Sequence, residues 1–417
     1  MSNPIVHTTD EHPSAEPEKS AFGKLVVLMI TAFIDMLGLL MILPLLPFYA
    51  KTLGAGGLVV GLLVSAFSIA QLVSAPIWGR FSDRYGRRPA LIVGLTASAI
   101  AYVVFAYADS LWLLFLSRIV QGAGGGTVSV IQAYVADATR PEDRAKSLGW
   151  LSAATNAGVA IGPVIGSWVQ HWSSHTPGLV AAGLCVVNVI FASRYLTEAR
   201  KPGGAPVTDG SKPARKGSRE AVLRVVSHPD EPASRLILIY AIAIGAFQGT
   251  TSILALYLSF RFGVTADTIG YFFGYIGVLS VIVRALLLGK LVDAVGEPKL
   301  SRWGLLFLTG GLVGIAYSQN YVMLAIAVGM LPLGTAFTFP CVTAMLSRVV
   351  SSAERGLYMG VQQTFGGITR VAFPVLFGFV FDRVGHASPF LISAAMVFLT
   401  LLLGRDLERY APRKTAG

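Results

Sequence analysis

The sequence predicts an all-α polytopic membrane protein, with twelve transmembrane helices in two pseudo-symmetric six-helix bundles. Three observations predict it. The 417 residues are 54% hydrophobic and 13% charged, where a soluble domain carries about 25% charged residues. Apolar runs close to the roughly 20 residues that cross a bilayer recur along the chain. The chain also repeats itself at half length. Gly79-Arg80-Phe81-Ser82-Asp83-Arg84-Tyr85-Gly86 and Gly289-Lys290-Leu291-Val292-Asp293-Ala294-Val295-Gly296 both read Gly-basic-x-x-Asp-x-x-Gly, 210 residues apart. Arg144, Gly149 and Pro163 recur 211 residues later as Arg355, Gly360 and Pro374. Many membrane transporters are built from such repeated halves.

Residues 1–21 are polar and mildly acidic. They lack the basic start and short apolar run of a secretory signal and are expected to form a disordered cytoplasmic tail. The first bundle, 22–197, is expected to hold spans 24–48, 57–79, 89–108, 111–135, 147–170 and 178–196. Span one carries Asp35, the one acid near the middle of any span, and then Pro44 and Pro47. Span two runs into the loop Gly79 to Arg88. Span four holds Arg118 and the run Gly122 to Gly126. That run lies in an apolar span and lacks the lysine of a phosphate loop, so it reads as close helix packing. Span five places Gly158, Gly162 and Gly166 at four-residue spacing, which permits close backbone approach, and Pro163 removes one helix hydrogen bond. The linker 198–233 is basic and rich in turn residues, with apolar positions between Arg219 and His228 that suit a short surface helix. The second bundle, 234–405, is expected to hold spans 235–258, 268–289, 303–318, 321–346, 357–380 and 388–404, ahead of a tail at 406–417.

Net charge +11 would suggest nucleic acid in a soluble chain, but here it reports orientation. Of 33 Lys and Arg, three fall in expected outside loops (Lys51, Arg261, Arg383) and three within spans (Arg118, Arg284, Arg370). The other 27 lie in cytoplasmic segments and the adjoining span ends when both termini are inside. Cys185 and Cys341 sit in spans of different halves, and the six histidines lie in tails and loops. Neither set makes a metal site or a disulfide. No nucleophile–base set and no ATP-binding loop is visible, so the chain reads as a non-enzyme that needs no cofactor beyond an ion gradient.

Several residues are candidates for a polar cavity. In span four, Arg118, Gln121, Gly122, Gly125, Ser129 and Gln132 fall on one face of a continuous helix. Asn156, Gln248, Gln362 and Gln363 are amides in spans five, seven and eleven. The competing reading for each is an interhelical hydrogen bond, worth about 0.6 kcal/mol. Arg284 shares a face with Ser280, Gly277 and Phe273, and Arg370 with Gln363. Arg284 is also near enough to the inner end to snorkel. Tyr275 and Phe339 are candidates for apolar walls. Three span arginines against one aspartate favour an anionic or zwitterionic small amphipathic compound over a purely cationic one.

These motifs resemble the major facilitator superfamily across nearly the whole chain, most closely its drug:proton antiporters, including tetracycline exporters. Gly79 to Arg88 is similar to the signature between spans two and three, Arg118-Ile119-Val120-Gln121-Gly122 to an element linked with proton coupling, and Gly158-x-x-x-Gly162-Pro163-x-x-Gly166 to the antiporter motif. Asp35-Met36-Leu37-Gly38 with Pro44 and Pro47 resembles the opening of the tetracycline exporters. Ser280 and Thr309 stand where those exporters carry a histidine and an acid, which counts against tetracycline itself.

The resemblance implies a proton-coupled antiporter of the inner membrane that exports small amphipathic compounds by alternating access. It implies proton carriage by Asp35 with Arg118 as its partner. An ionised carboxylate inside a bilayer is costly, which suits alternating protonation; a permanent ion pair that only locks two helices stays open beside it. Asp83, with Gly79, Arg84, Gly86 and the repeat's Asp293, would latch the cytoplasmic side by capping the start of span eleven near Arg355, where the helix dipole favours an anion. Arg87 would pair with Asp137. Protons, lipid and a small-molecule substrate are the expected partners, with a monomer as default. An importing symporter or uniporter, and a non-transporting receptor or lipid-handling protein, are the alternatives.

Overall fold

The computed structural model describes residues 18–139, 143–198 and 215–405. The C-terminal tail, most of the N-terminal tail and much of the linker expected from the sequence lie outside the described residues. Among the described residues no strand occurs. Eleven helical segments are long and apolar enough to cross a membrane, and the shorter Ser388–Leu403 brings the number to twelve. In order they are Leu25–Thr52, Gly57–Tyr85, Arg87–Ala106, Leu111–Ala138, Lys146–Gln170, Thr176–Tyr195, Pro232–Phe262, Ile269–Val295, Glu297–Tyr317, Tyr321–Val349, Arg355–Arg383 and Ser388–Leu403. Span nine is longer than the 303–318 expected. It starts at Glu297 straight after Gly296, whose φ of 82° turns the chain, and Pro298 sits in its first turn where no N–H partner is lost.

The packing of the two halves follows one pattern. Span one lies against spans five and six, two against four, and three against four and six. In the second half, span seven lies against eleven and twelve, eight against ten, and nine against ten and twelve. The half-length repeat in the sequence is therefore a repeat of packing partners. Buried Leu, Val, Ala and Phe side chains fill both bundles, while Val73, Ile100, Val187, Ile326 and Leu399 stay exposed on the outside, as lipid-facing positions of a membrane bundle do.

Three spans are interrupted. Span one breaks at 43–45 and resumes as Leu46–Thr52 with Pro47 in its first turn. Span four divides into Leu111–Gly124 and Thr127–Ala138. Span eight passes through a π-helical turn, Val283–Leu287. Such turns occur frequently at functional sites. Between the halves, a helix at Arg215–Ser227 buries Ala221 and Val225 against the second bundle, and Arg224 Nε donates to both carboxylate oxygens of Glu231 at 3.0 and 2.9 Å.

Candidate functional site: a central cleft closed at one end

Two seams join the halves. Span two meets span eleven, and span five meets span eight. Both seams close at the end away from the basic loops. Asp382 accepts from the Gly57 and Leu58 N–H groups at 2.7 and 2.8 Å, so an acid of span eleven caps span two, where the helix dipole favours a negative charge. Ser65 Oγ donates to the Val371 carbonyl at 2.6 Å. Ser167 Oγ accepts from the Gly270 N–H at 2.8 Å and donates to the Ala266 carbonyl at 2.7 Å. The backbones touch here. A Cβ at Gly61 would run into the Pro374 carbonyl, and one at Gly270 into the Pro163 carbonyl. Pro163 and Pro374 are the repeat pair separated by 211 residues, so both seams use the equivalent proline.

At the basic end, among the described residues, no hydrogen bond or ion pair joins the halves, whereas the cross-half bonds lie toward the other end. Gly79, Gly149, Gly289, Gly356 and Gly360 would each meet nothing within 4 Å if given a Cβ. The expected cap of span eleven by Asp83 is not made: the Asp83 carboxylate pairs with Arg87 at 2.9 Å, and its side chain is 60% exposed. Closing one end of a two-bundle body draws the other ends apart, which separates those partners. Asp293 is likewise exposed. The expected Arg87–Asp137 pair is present at 2.9 Å. Gly86, at φ 103°, links spans two and three, and Glu198 caps span three by accepting from the Arg87 and Arg88 N–H groups at 2.8 and 3.1 Å. Arg84 lies over the Tyr85 ring.

The cleft holds two cavities. The central one, about 260 Å³, lies between the bundles. Of the residues expected to line a substrate cavity, Asn156, Gln248, Phe273, Arg284 and Phe339 do so here. Ser280 and Gly277 join them, as their shared face with Arg284 predicted. A second cavity of about 340 Å³ is lined by Ala32, Met36, Val128 and Gln132, and Asn156 faces both. The other expected lining residues sit elsewhere. Gln121 donates to the Tyr102 hydroxyl at 2.7 Å inside the first bundle. Gln362 is fully buried and accepts from Thr343 Oγ1 at 3.3 Å. Tyr275 is exposed beside Gly329 of span ten. Gln363 is exposed and Arg370 half-buried, neither of them on the cavity wall.

The expected continuous polar face of span four is broken at Gly125-Gly126. Glycine weakens a helix interior, and here Gly122 packs on the Phe67 carbonyl while Gly126 packs on Trp78. Arg118, Gln121 and Gly122 are therefore buried in the bundle, whereas Ser129 and Gln132 are exposed. The Gly158, Gly162, Gly166 spacing of span five does bring backbones close, but inside one bundle. It packs span five on the Phe33, Leu37 and Met41 carbonyls of span one, within the first bundle. The glycines of the neighbouring cross-half seam are Gly270, Gly274 and Gly277 of span eight.

Asp35 is 6% exposed. Thr127, first residue of the lower half of span four, donates to its Oδ2 at 2.8 Å. Asp35 lies directly behind the wall of the second cavity, since Met36 and Val128, the neighbours of Asp35 and Thr127, both line it. The expected Asp35–Arg118 ion pair does not occur within 4 Å. Arg118 lies 5.2 Å from the Phe105 ring centroid, and its Nη2 is buried without a partner among the described residues. Tyr102 stands near both charges and packs on Gly38, one turn from Asp35. Sequence reasoning missed Thr127, Tyr102, Glu198 and Asp382. The break between Gly124 and Thr127 was the available signal for the first.

The family described as Major Facilitator Superfamily matches residues 28–330 and 236–416. Multidrug resistance protein 1 of Bacillus subtilis is 28% identical over 359 residues, covering 86% of this chain and 90% of that protein. The class D tetracycline resistance protein of Salmonella ordonez is 27% identical over 399 residues, covering 93% and 98%. Among solved structures, a peptide transporter POT in complex with sulfate superposes with a TM-score of 0.75 at 15% identity, covering 93% of this chain and 94% of that one. The human organic anion transporter MFSD10 superposes with a TM-score of 0.66 at 22% identity, covering 94% and 100%.

Proposed function

The chain belongs to the Major Facilitator Superfamily and is a multi-pass membrane transporter; from that premise we propose that it is a proton-coupled antiporter that exports small amphipathic compounds, drug-like or metabolic, by alternating access. The observation that carries the reading is Asp35, a buried carboxylate held by Thr127 behind the wall of a cleft that opens at one end only. A carboxylate there is costly while ionised and unpaired by a cation. Taking a proton from one side and releasing it to the other, as the cleft changes sides, would couple its charge state to the motion. The multidrug and tetracycline resistance proteins among its relatives support export as the direction.

In this reading the basic end is cytoplasmic, both termini lie inside, the membrane is the inner membrane and the chain works as a monomer with lipid around it. The structure then corresponds to a cleft open to the cytoplasm. Substrate enters the central cavity between Asn156, Gln248, Phe273 and Phe339. The seams at Asp382 and Ser167 release, and the bundles rock until Asp83 reaches the start of span eleven. Proton release from energised everted vesicles on adding substrate tests the reading. Release that persists in Asp35→Asn overturns the assigned carrier.

A further inference from the structure

The central cavity contains one charge. Its wall holds amides, hydroxyls, prolines and the rings of Phe247, Phe273 and Phe339, and its single ionisable residue is Arg284. Among the described residues, no hydrogen bond or ion pair engages that guanidinium. Arg284 is exposed to the cleft and, because arginine cannot shed its charge as a lysine can, it keeps a permanent cation on this wall that an anion can neutralise. The cavity itself supplies no acid that could.

The backbone at this point is also specialised. Phe273, Ile276, Gly277, Ser280 and Arg284 form one helical stripe, and all five face the cavity. The π-helical turn Val283–Leu287 begins beside Arg284, at the end of that stripe. Such a turn carries one extra residue per turn, so the helix beyond it is rotated by roughly 100° relative to a continuing α-helix. The stripe stops at Arg284, and the next stretch, Leu288–Val295, presents a different face.

We propose that this cavity takes an anionic amphiphile: one carboxylate, sulfonate or sulfate on an apolar, ring-bearing body. Arg284 holds the charged end through its forked donors, and the three phenylalanines receive the rings. Gln248 and Asn156 add hydrogen-bond capacity without charge, which suits varied bodies carrying one constant anionic group. The assignment rests on the reading that the central cavity is where substrate binds, and it names the class of that substrate.

The test uses the purified full chain in nanodiscs and a matched pair of fluorescent probes. Anilinonaphthalene sulfonate carries the anion, and phenylnaphthylamine has the same ring system without it. Both are titrated against the wild type, Arg284→Gln and Arg284→Lys, with empty nanodiscs as the blank. The expected result is tighter binding of the sulfonate to the wild type. Its affinity falls roughly tenfold in Arg284→Gln, the scale of one charge-assisted hydrogen bond, is partly kept in Arg284→Lys, and the neutral probe is unmoved in all three. Sulfonate affinity unchanged in Arg284→Gln would assign the arginine to lipid phosphates and overturn the proposal. Equal loss for both probes, or no saturable sulfonate binding to the wild type, would overturn it as well. No gradient is imposed, so the outcome is independent of whether Asp35 couples transport to protons.

Discussion

Asp382 and Gly57, 325 residues apart, form a helix cap that bridges the two bundles: the carboxylate accepts the Gly57 N–H at 2.7 Å and, through its other oxygen, the Leu58 N–H at 2.8 Å. This is the arrangement expected for Asp83 and the start of span eleven at the basic end, where it is absent. One acid-on-helix-start contact is made at the closed end and its counterpart is unmade at the open end. The two latches would alternate as the cleft changes sides.

Asp382→Ala should therefore favour opening of the closed end. Two charge-assisted hydrogen bonds are lost, each contributing about 1.5–3 kcal/mol when fully buried and less at this partly exposed site. Ser65, buried behind the latch, serves as reporter. In a Ser65→Cys background, labelling by a membrane-impermeant thiol reagent should rise roughly tenfold. The native Cys185 and Cys341 are buried and contribute little. Unchanged labelling would remove the latch from the account.

Gly270→Leu should prevent this closure outright, because a side chain there meets the Pro163 carbonyl and the Ser167 side chain. Overpacking of about 1–3 kcal/mol placed on a seam between moving bodies shifts their equilibrium before it unfolds either one. The variant should remain monodisperse, label strongly at Ser65→Cys and lose transport. Gly183→Ala is its control: the added Cβ meets nothing within 4 Å, and transport should stay within about twofold of the wild type. Normal transport by Gly270→Leu would contradict the seam assignment.

Thr127→Val keeps the shape of the residue and removes the hydrogen bond to Asp35. Coupled transport should fall roughly tenfold, the scale of one bond to a charged group, with Thr127→Ser close to the wild type. Substrate binding measured without a gradient should be unaffected in both variants. If Thr127→Val and Thr127→Ser behave alike, the hydroxyl has no part in coupling.

Asp137→Ala should lower the melting temperature by a few degrees, because the Arg87 side chain is only 10% exposed and would keep Asp83 alone as its acidic partner. The double variant with Arg87→Ala should be less destabilised than the sum of the two single changes. Strict additivity would mean that the pair contributes nothing.

The spans and the repeat were legible because each is a property of local composition or of fixed offsets along the chain. Arg87–Asp137 was legible through the resemblance, and the Phe273–Arg284 stripe through helical period, since the α-helix runs unbroken from Ile269 to Ile282 and Arg284 lies only two residues beyond it. The same period misled in span four, where Gly125-Gly126 interrupts the helix and buries Gln121 while exposing Gln132. Thr127, Tyr102, Glu198 and Asp382 act only through which surfaces meet in three dimensions, and no spacing along the sequence encodes that. The π turn at Val283–Leu287 carries no glycine or proline to announce it.

The central claim is that Asp35 carries the exchanged proton. It is tested most directly in proteoliposomes loaded with a pH-sensitive dye, by adding amphiphile to the side facing the basic loops with a pH gradient imposed. The account predicts amphiphile-dependent proton movement in the wild type. Asp35→Asn should abolish it while still binding amphiphile in the absence of a gradient. Undiminished proton movement in Asp35→Asn would contradict the claim.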